Sequence, residues 1–338
     1  MNIKCFSTHN FEKDYLEKST KLYNLNTSYT RHKLSLETVN MAKGFDVISC
    51  WASDDLSSKV LHALKELGIK MISLRSAGYS HLDLSEAKAL GLIVARVPAY
   101  SPEAIAEHTL GIFMSLNRNL PKAFQRVRDF NFTLEGLEGM TVYGKTVGII
   151  GLGKIGQAFA RIMKGMGCKV FVYDPVQDFD LAEKLGIIYI DLKTLLKESD
   201  IVSLHCPLND STRYLINAET IEYLKPSAFL LNTGRGALIE TKALINKLKK
   251  RELKGVGLDV YEYEEDVFFK DHSDFGITDE LLLRLMSFPN VLITSHQAFF
   301  TKEALENIAE ISMKNIYQFS NGSAISPENF LDIRLCDI

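Results

Sequence analysis

Thr146-Val147-Gly148-Ile149-Ile150-Gly151-Leu152-Gly153-Lys154-Ile155-Gly156 is an apolar run of strand character meeting G-x-G-x-x-G, and a helical pattern (Gln157, Ala158, Phe159, Ala160, Arg161, Ile162, Met163) begins at once. A second β run, Lys169 to Tyr173, ends on Asp174. In that setting each glycine has a task. Gly151 allows the tight turn, Gly153 lets backbone N–H groups approach a pyrophosphate, and Gly156 lets helix and strand pack closely. The helix N-terminus adds partial positive charge for the phosphates. Asp174 stands roughly 20 residues on, where a carboxylate accepts hydrogen bonds from the adenosine ribose hydroxyls. The same carboxylate repels a 2′-phosphate, and no Arg follows it directly, so the cofactor expected is NAD rather than NADP. A turn that binds nothing would not need strand, helix, second strand and acid in this order.

The rest of the chain widens that reading to two domains, for which 338 residues suffice. Before residue 100, short strands at 3–7, 45–51, 70–74 and 92–97 alternate with helical patterns at 60–67 and 85–90, each stopped by a glycine (Gly68, Gly91). Alternation of this kind predicts a parallel sheet covered on both faces. No phosphate fingerprint occurs there, so this half is expected to serve the substrate. Pro98 to Glu103 is a boundary, with Pro102 suited to a first helical position. The apolar helix that follows packs either between the domains or against a second subunit. After the fingerprint, strands are expected at 200–205, 228–232, 255–260 and 291–294, with 242–250 helical and the acidic, Phe-rich stretch 261–278 reading as an insertion.

Composition narrows the function classes. A net charge of −3 argues against nucleic acid or an anionic membrane as the main partner. It also means that an anionic substrate must be held by local cations. Cys5, Cys50, Cys168, Cys206 and Cys336 are odd in number and scattered, which fits reduced thiols in cytoplasm better than a disulfide frame. The mixed charges at the N-terminal stretch lead to the expectation of no signal peptide, and the sequence shows no membrane-length apolar run and no metal-ligand spacing.

Ligands of open α/β sheets sit outside the carboxyl ends of the strands. Three expected strand ends deliver Arg235 (flanked by Gly234 and Gly236), Glu264 after Asp259, and His296. A histidine can protonate a carbonyl oxygen, a nearby carboxylate orients its ring, and an arginine fork suits a carboxylate. Taken singly, Arg235 reads equally as an exposed loop arginine. His108 and His205 read as packing histidines. No G-x-S-x-G elbow occurs, so Ser295 beside His296 is not evidence for a hydrolase.

Arg75-Ser76-Ala77-Gly78, Val97-Pro98-Ala99-Tyr100-Ser101-Pro102-Glu103, the fingerprint with Tyr173-Asp174-Pro175, His205-Cys206-Pro207-Leu208, Asn232 to Leu238, Gly257 to Glu262 and Ser295 to Phe299 together resemble the D-2-hydroxyacid dehydrogenase family over essentially the whole chain. The insertion around Val267 to Asp271 resembles its fermentative D-lactate dehydrogenase branch. The resemblance implies two Rossmann/flavodoxin-like α/β domains with parallel sheets and a cleft between them. The substrate domain would be 1–99 plus 300–338, and the NAD-binding domain 100–299, with a dimerisation helix near 101–120. It further implies a cytoplasmic homodimer or dimer of dimers interconverting pyruvate and D-lactate. Arg235 would bind and polarise the 2-oxo acid, with His296 the acid/base and Glu264 its partner. Ala77 and Gly78 would hold the substrate carboxylate, with Tyr100 and Phe299 lining the pocket. Gly151, Gly153, Lys154, Ile155, Gly156, Asp174, Cys206, Pro207, Thr212, Thr233, Gly234, Arg235 and Asp259 would meet NAD. A bulkier 2-oxo acid, or a non-catalytic NAD-sensing relative, are the alternatives. Ser295 departs from the Pro that many relatives carry, which leaves the rigidity of the histidine loop open.

Overall fold

A computed structural model of the chain describes residues 1–79 and 81–331, with Asp266 known by its backbone alone. Cys336 lies outside the described residues. The chain divides into two compact units, Met1–Ser101 with the chain from Phe300 on, and Pro102–Phe299.

The first unit holds β1 (Asn2–Cys5), β2 (Asn26–Tyr29), β3 (Val47–Cys50), β4 (Met71–Leu74) and β5 (Ile93–Ala95) in the order β2-β1-β3-β4-β5. Every pairing is parallel. β3 and β4 are buried at all four positions, as strands covered on both faces are. The helix Lys302–Ser320 completes this unit. Its Ala309, Met313 and Ile316 share a core with Ile3, Cys5, Leu16, Val47 and Met71. Gly68 and Gly91 end their helices at φ of +88° and +65°, the left-handed region glycine tolerates best. Arg75 follows β4 and is fully buried. Its guanidinium meets Glu12 Oε2 at 3.1 Å, Ser49 Oγ at 3.0 Å and the Phe6 carbonyl at 2.6 Å, tying three strand ends together.

The second unit holds β6 (Thr146–Ile150), β7 (Lys169–Tyr173), β8 (Ile188–Tyr189), β9 (Ile201–Leu204), β10 (Phe229–Asn232), β11 (Gly255–Leu258) and β12 (Val291–Ile293). The order is β12-β11-β10-β9-β6-β7-β8, all parallel. The chain leaves β6 first to one side and then to the other, so the β6/β9 boundary is the topological switch point of a doubly wound sheet. The helix Pro102–Asn117 lies on β10 and β11. Gly257 makes room for it, because a Cβ there would stand 2.3 Å from Ile112. Phe113 meets Phe229 edge-on at 5.3 Å. Among the described residues no helix is long and apolar enough to cross a membrane.

Candidate active site

The fingerprint closes as its spacing predicts. Gly151 has φ +93°, and a Cβ on it would lie 2.5 Å from the Cys206 backbone nitrogen, across the switch point. A Cβ on Gly156 would lie 2.1 Å from the Gly151 carbonyl, so helix Lys154–Gly165 touches the loop there. At Gly153, by contrast, a Cβ would meet nothing within 4 Å. Gly153 stands at the N-cap of that helix. Open space over a helix N-terminus is what a pyrophosphate requires. Lys154 and Ile155 begin that helix.

Asp174 closes the other side. Its Oδ2 accepts the Leu152 N–H at 2.7 Å and its Oδ1 the Val176 N–H at 2.9 Å. Each oxygen keeps a lone pair for a ribose hydroxyl. Burial, with the Asp174 charge adding to it, pushes the half-buried Cys206 thiol up to about 11, so it stays protonated. Pro207 is exposed beside it. Thr212 Oγ1 donates to the Pro207 carbonyl at 2.6 Å and so shapes this turn from within.

The proton-handling pair follows β11 and β12. Glu264, in the 3-10 turn Glu264–Asp266, sets Oε1 2.7 Å from His296 Nδ1. Its Oε2 accepts the Tyr261 N–H at 2.8 Å, which fixes the carboxylate before it meets the ring. His296 sits at φ +53°, a left-handed backbone that non-glycine residues enter only when their surroundings over-determine it. Asp259 supplies that determination. Its carbonyl accepts the His296 N–H at 2.7 Å. Its carboxylate accepts Gln297 N at 2.9 Å, Ala298 N at 2.8 Å and the Thr294 hydroxyl at 2.5 Å. Burial alone would raise the Asp259 carboxyl, but hydrogen bonds from His108, Thr294, Ala298 and Gln297 outweigh it and hold the group below its ordinary range. The loop rigidity left open by Ser295 therefore comes from Asp259 rather than from proline. Its side chain has 0% exposed area, so the direct NAD contact expected of it finds no accessible atom here.

Arg235 precedes the short 3-10 turn Gly236–Leu238. A Cβ on Gly236 would overlap the Tyr261 carbonyl at 2.1 Å, so the arginine loop lies directly on the chain leading to Glu264. Asn232 Nδ2 donates to the Arg235 carbonyl at 2.8 Å, and Gly234 N donates back to Asn232 Oδ1 at 3.0 Å. Arg235 Nη1 donates to the Gly234 carbonyl at 2.8 Å. Thr233, expected at NAD, is 6% exposed and its hydroxyl lies 2.8 Å from that of Thr109.

In the first unit, Ala77 and Gly78 follow Arg75. Among the described residues neither backbone N–H reaches a protein acceptor, while Arg96 Nη1 holds the Ala77 carbonyl at 2.9 Å. The Tyr100 carbonyl accepts Asn307 Nδ2 at 2.6 Å. Phe299 is buried.

The two histidines expected to be packing residues differ in role. His205 is a packing residue, its ring 5.2 Å from Phe159 and 2.9 Å from Ser203 Oγ. Burial lowers it to about 3, so it stays neutral. His108 is not merely packing, because its Nε2 lies 3.2 Å from Thr294 Oγ1 and 3.4 Å from Asp259 Oδ1. An apolar helical stripe hid it, since periodicity reports which face is covered and not which loop covers it. Among the described residues no three His, Cys, Asp or Glu side chains gather as metal ligands would.

Residues 110–298 match the family model for the NAD-binding domain of D-isomer specific 2-hydroxyacid dehydrogenases. The chain belongs to the D-isomer specific 2-hydroxyacid dehydrogenase family. As a member of it, this dehydrogenase is an NAD-dependent oxidoreductase, and the open Gly153 loop and Asp174 fit that cofactor. It is 44% identical to the D-lactate dehydrogenase of Escherichia coli over 97% of this chain and 99% of that one. The apo-structure of that enzyme superposes with a TM-score of 0.88 at 42% identity, covering 98% of this chain and all of the other. A D-lactate dehydrogenase with NAD+ from Lactobacillus jensenii gives 0.83 at 34% identity, covering 98% and 100%.

Proposed function

We propose that the chain is a D-lactate dehydrogenase that reduces pyruvate, with His296 as acid/base, Glu264 as its orienting partner and Arg235 as the substrate's cation. The 2.7 Å contact between His296 Nδ1 and Glu264 Oε1 carries this reading. With Nδ1–H committed to the carboxylate, Nε2 is the nitrogen that gives its proton to the carbonyl oxygen in reduction and takes one from the hydroxyl in oxidation. Bound NADH supplies the hydride. Glu264 steadies the charged imidazolium before the transfer and sets the ring's orientation throughout. Arg235 offers a planar fork to the 2-oxo acid. In the first unit, the Ala77 and Gly78 N–H groups are the donors this reading gives to a carboxylate, with Tyr100 their pocket-lining neighbour; Phe299 is the pocket residue it proposes on the second unit.

Pyruvate is favoured by the similarity to D-lactate dehydrogenases over nearly the full length. The free Cys5, Cys50, Cys168 and Cys206 support a reducing, cytoplasmic setting. Exposed apolar side chains between residues 120 and 143 support a homodimer. The deciding measurement is NADH oxidation with a panel of 2-oxo acids, and the chirality of the product. Pyruvate should give the highest kcat/KM and D-lactate alone. A bulkier 2-oxo acid turned over about tenfold better would replace pyruvate as the substrate, and no oxidation with any of them would end the enzyme reading.

A further inference from the structure

The loops that carry Arg235 and His296 leave different strands, β10 and β12, yet they are tied to adjacent residues of one helix. On Pro102–Asn117, His108 reaches Thr294 Oγ1 at 3.2 Å and Asp259 Oδ1 at 3.4 Å. The next residue, Thr109, reaches Thr233 Oγ1 at 2.8 Å. Neighbours on a helix diverge by roughly 100°, so consecutive side chains can serve two loops at once. We propose that His108 and Thr109 are positioning residues that hold the proton-donor loop and the arginine loop in register with each other through this helix. The inference rests on the roles proposed above for His296 and Arg235.

Proton accounting fixes what each contact must be. Thr294 donates its single hydroxyl proton to the Asp259 carboxylate at 2.5 Å. Its oxygen can therefore only accept from His108, so Nε2 of His108 carries a hydrogen. Thr109 donates its own proton to the Ile105 carbonyl at 2.7 Å. The buried Thr233 hydroxyl must then donate to Thr109. Both contacts have a fixed direction, and each lies within two residues of a group assigned to the chemistry. The helix is itself a firm base. Gly257 lets Ile112 and Leu116 settle on β11, and Phe113 abuts Phe229 of β10. A shift of about 1 Å at a reacting group costs on the order of 100-fold in rate, so partly slackening one anchor is expected to cost about tenfold.

The two anchors predict different kinetic losses. His108→Phe removes the donor behind Asp259 and should lower kcat for pyruvate reduction about tenfold with KM little changed, and His108→Gln should restore most of it. Thr109→Val leaves Thr233 without an acceptor and should raise KM for pyruvate about tenfold with kcat little changed, and Thr109→Ser should restore it. Affinity for NADH, followed by fluorescence, should stay within about twofold in all four. Variants that lose only melting temperature, or Val and Ser variants that behave alike, would overturn the proposal. His296→Gln and Arg235→Gln are run beside them. If those two remain fully active, the roles assigned to His296 and Arg235 fail; if they are inactive while the His108 and Thr109 variants match the parent, only the register proposal fails.

Discussion

Glu264 is held at both ends: Oε1 stands 2.7 Å from His296 Nδ1 while Oε2 accepts the Tyr261 N–H at 2.8 Å. The carboxylate is thus placed by the backbone before it places the imidazole. A glutamine in its place can still accept from Tyr261 but offers the ring no charge. Glu264→Gln should lower pyruvate reduction at neutral pH by about 10- to 100-fold. D-lactate oxidation should suffer more, since an amide N–H facing Nδ1 drives the ring's hydrogen to Nε2, where the base must act. Rates measured in the two directions test this, and equal losses would contradict it.

Asp174 has a double duty that sets its mutational signature. Its oxygens anchor Leu152 N and Val176 N, so it shapes the fingerprint loop in addition to the ribose contact that the NAD reading proposes for it. Asp174→Ala should lower kcat/KM for NADH about tenfold or more, and raise that for NADPH by removing the charge that repels a 2′-phosphate. An unchanged NADH/NADPH ratio would mean that selection lies elsewhere.

His205 makes folding sensitive to acid. Folded, it stays neutral down to about 3; unfolded, it takes up a proton near 6.5, its ordinary value. Between those pH values the unfolded chain binds the additional proton, so stability is lost as pH is lowered from about 6.5. The loss from this residue at pH 5 is about 2 kcal/mol. Denaturant unfolding at pH 7.5 and pH 5 should show His205→Asn losing that much less than the parent between the two conditions. Parallel pH dependences would exclude this residue as the cause.

The parts of the fold legible in the sequence are those where a pattern has one physical meaning. The fingerprint is one: Gly151, Gly153 and Gly156 differ in what crowds them, and their spacing already distinguished turn, open face and packing contact. Buried strands such as β3 and β4 read as apolar runs. Edge strand β2, Asn-Thr-Ser-Tyr, did not, because one side of an edge needs no apolar residues, and two-residue β8 is too short for any period. Arg235, Glu264 and His296 could be picked out as residues just past strands. Their support could not. Asp259 holding a left-handed His296, and Asn232 bracing Arg235, are made by backbone groups whose direction no residue type announces. His108 shows the same limit, since its partners lie 151 and 186 positions away in sequence.

The helix Leu120–Arg128 has no buried residue, yet Leu120, Phe124 and Val127 fall on one stripe at spacings of four and three. Phe124 is 65% and Phe130 85% exposed, and Phe132, Leu134 and Tyr143 continue the apolar surface. Such a stretch on a single chain calls for a cover, and the proposed second subunit supplies one. Because Phe124 and Phe130 are mostly exposed on the single chain, charging them should dissociate the oligomer without unfolding the protomer. The double variant Phe124→Glu, Phe130→Glu should run as a monomer by light scattering at micromolar concentration, where the parent runs as a dimer or larger. Its first thermal transition should become independent of concentration, as expected once assembly no longer adds to stability. A parent that is monomeric throughout, or a double variant that still assembles, would place the interface elsewhere.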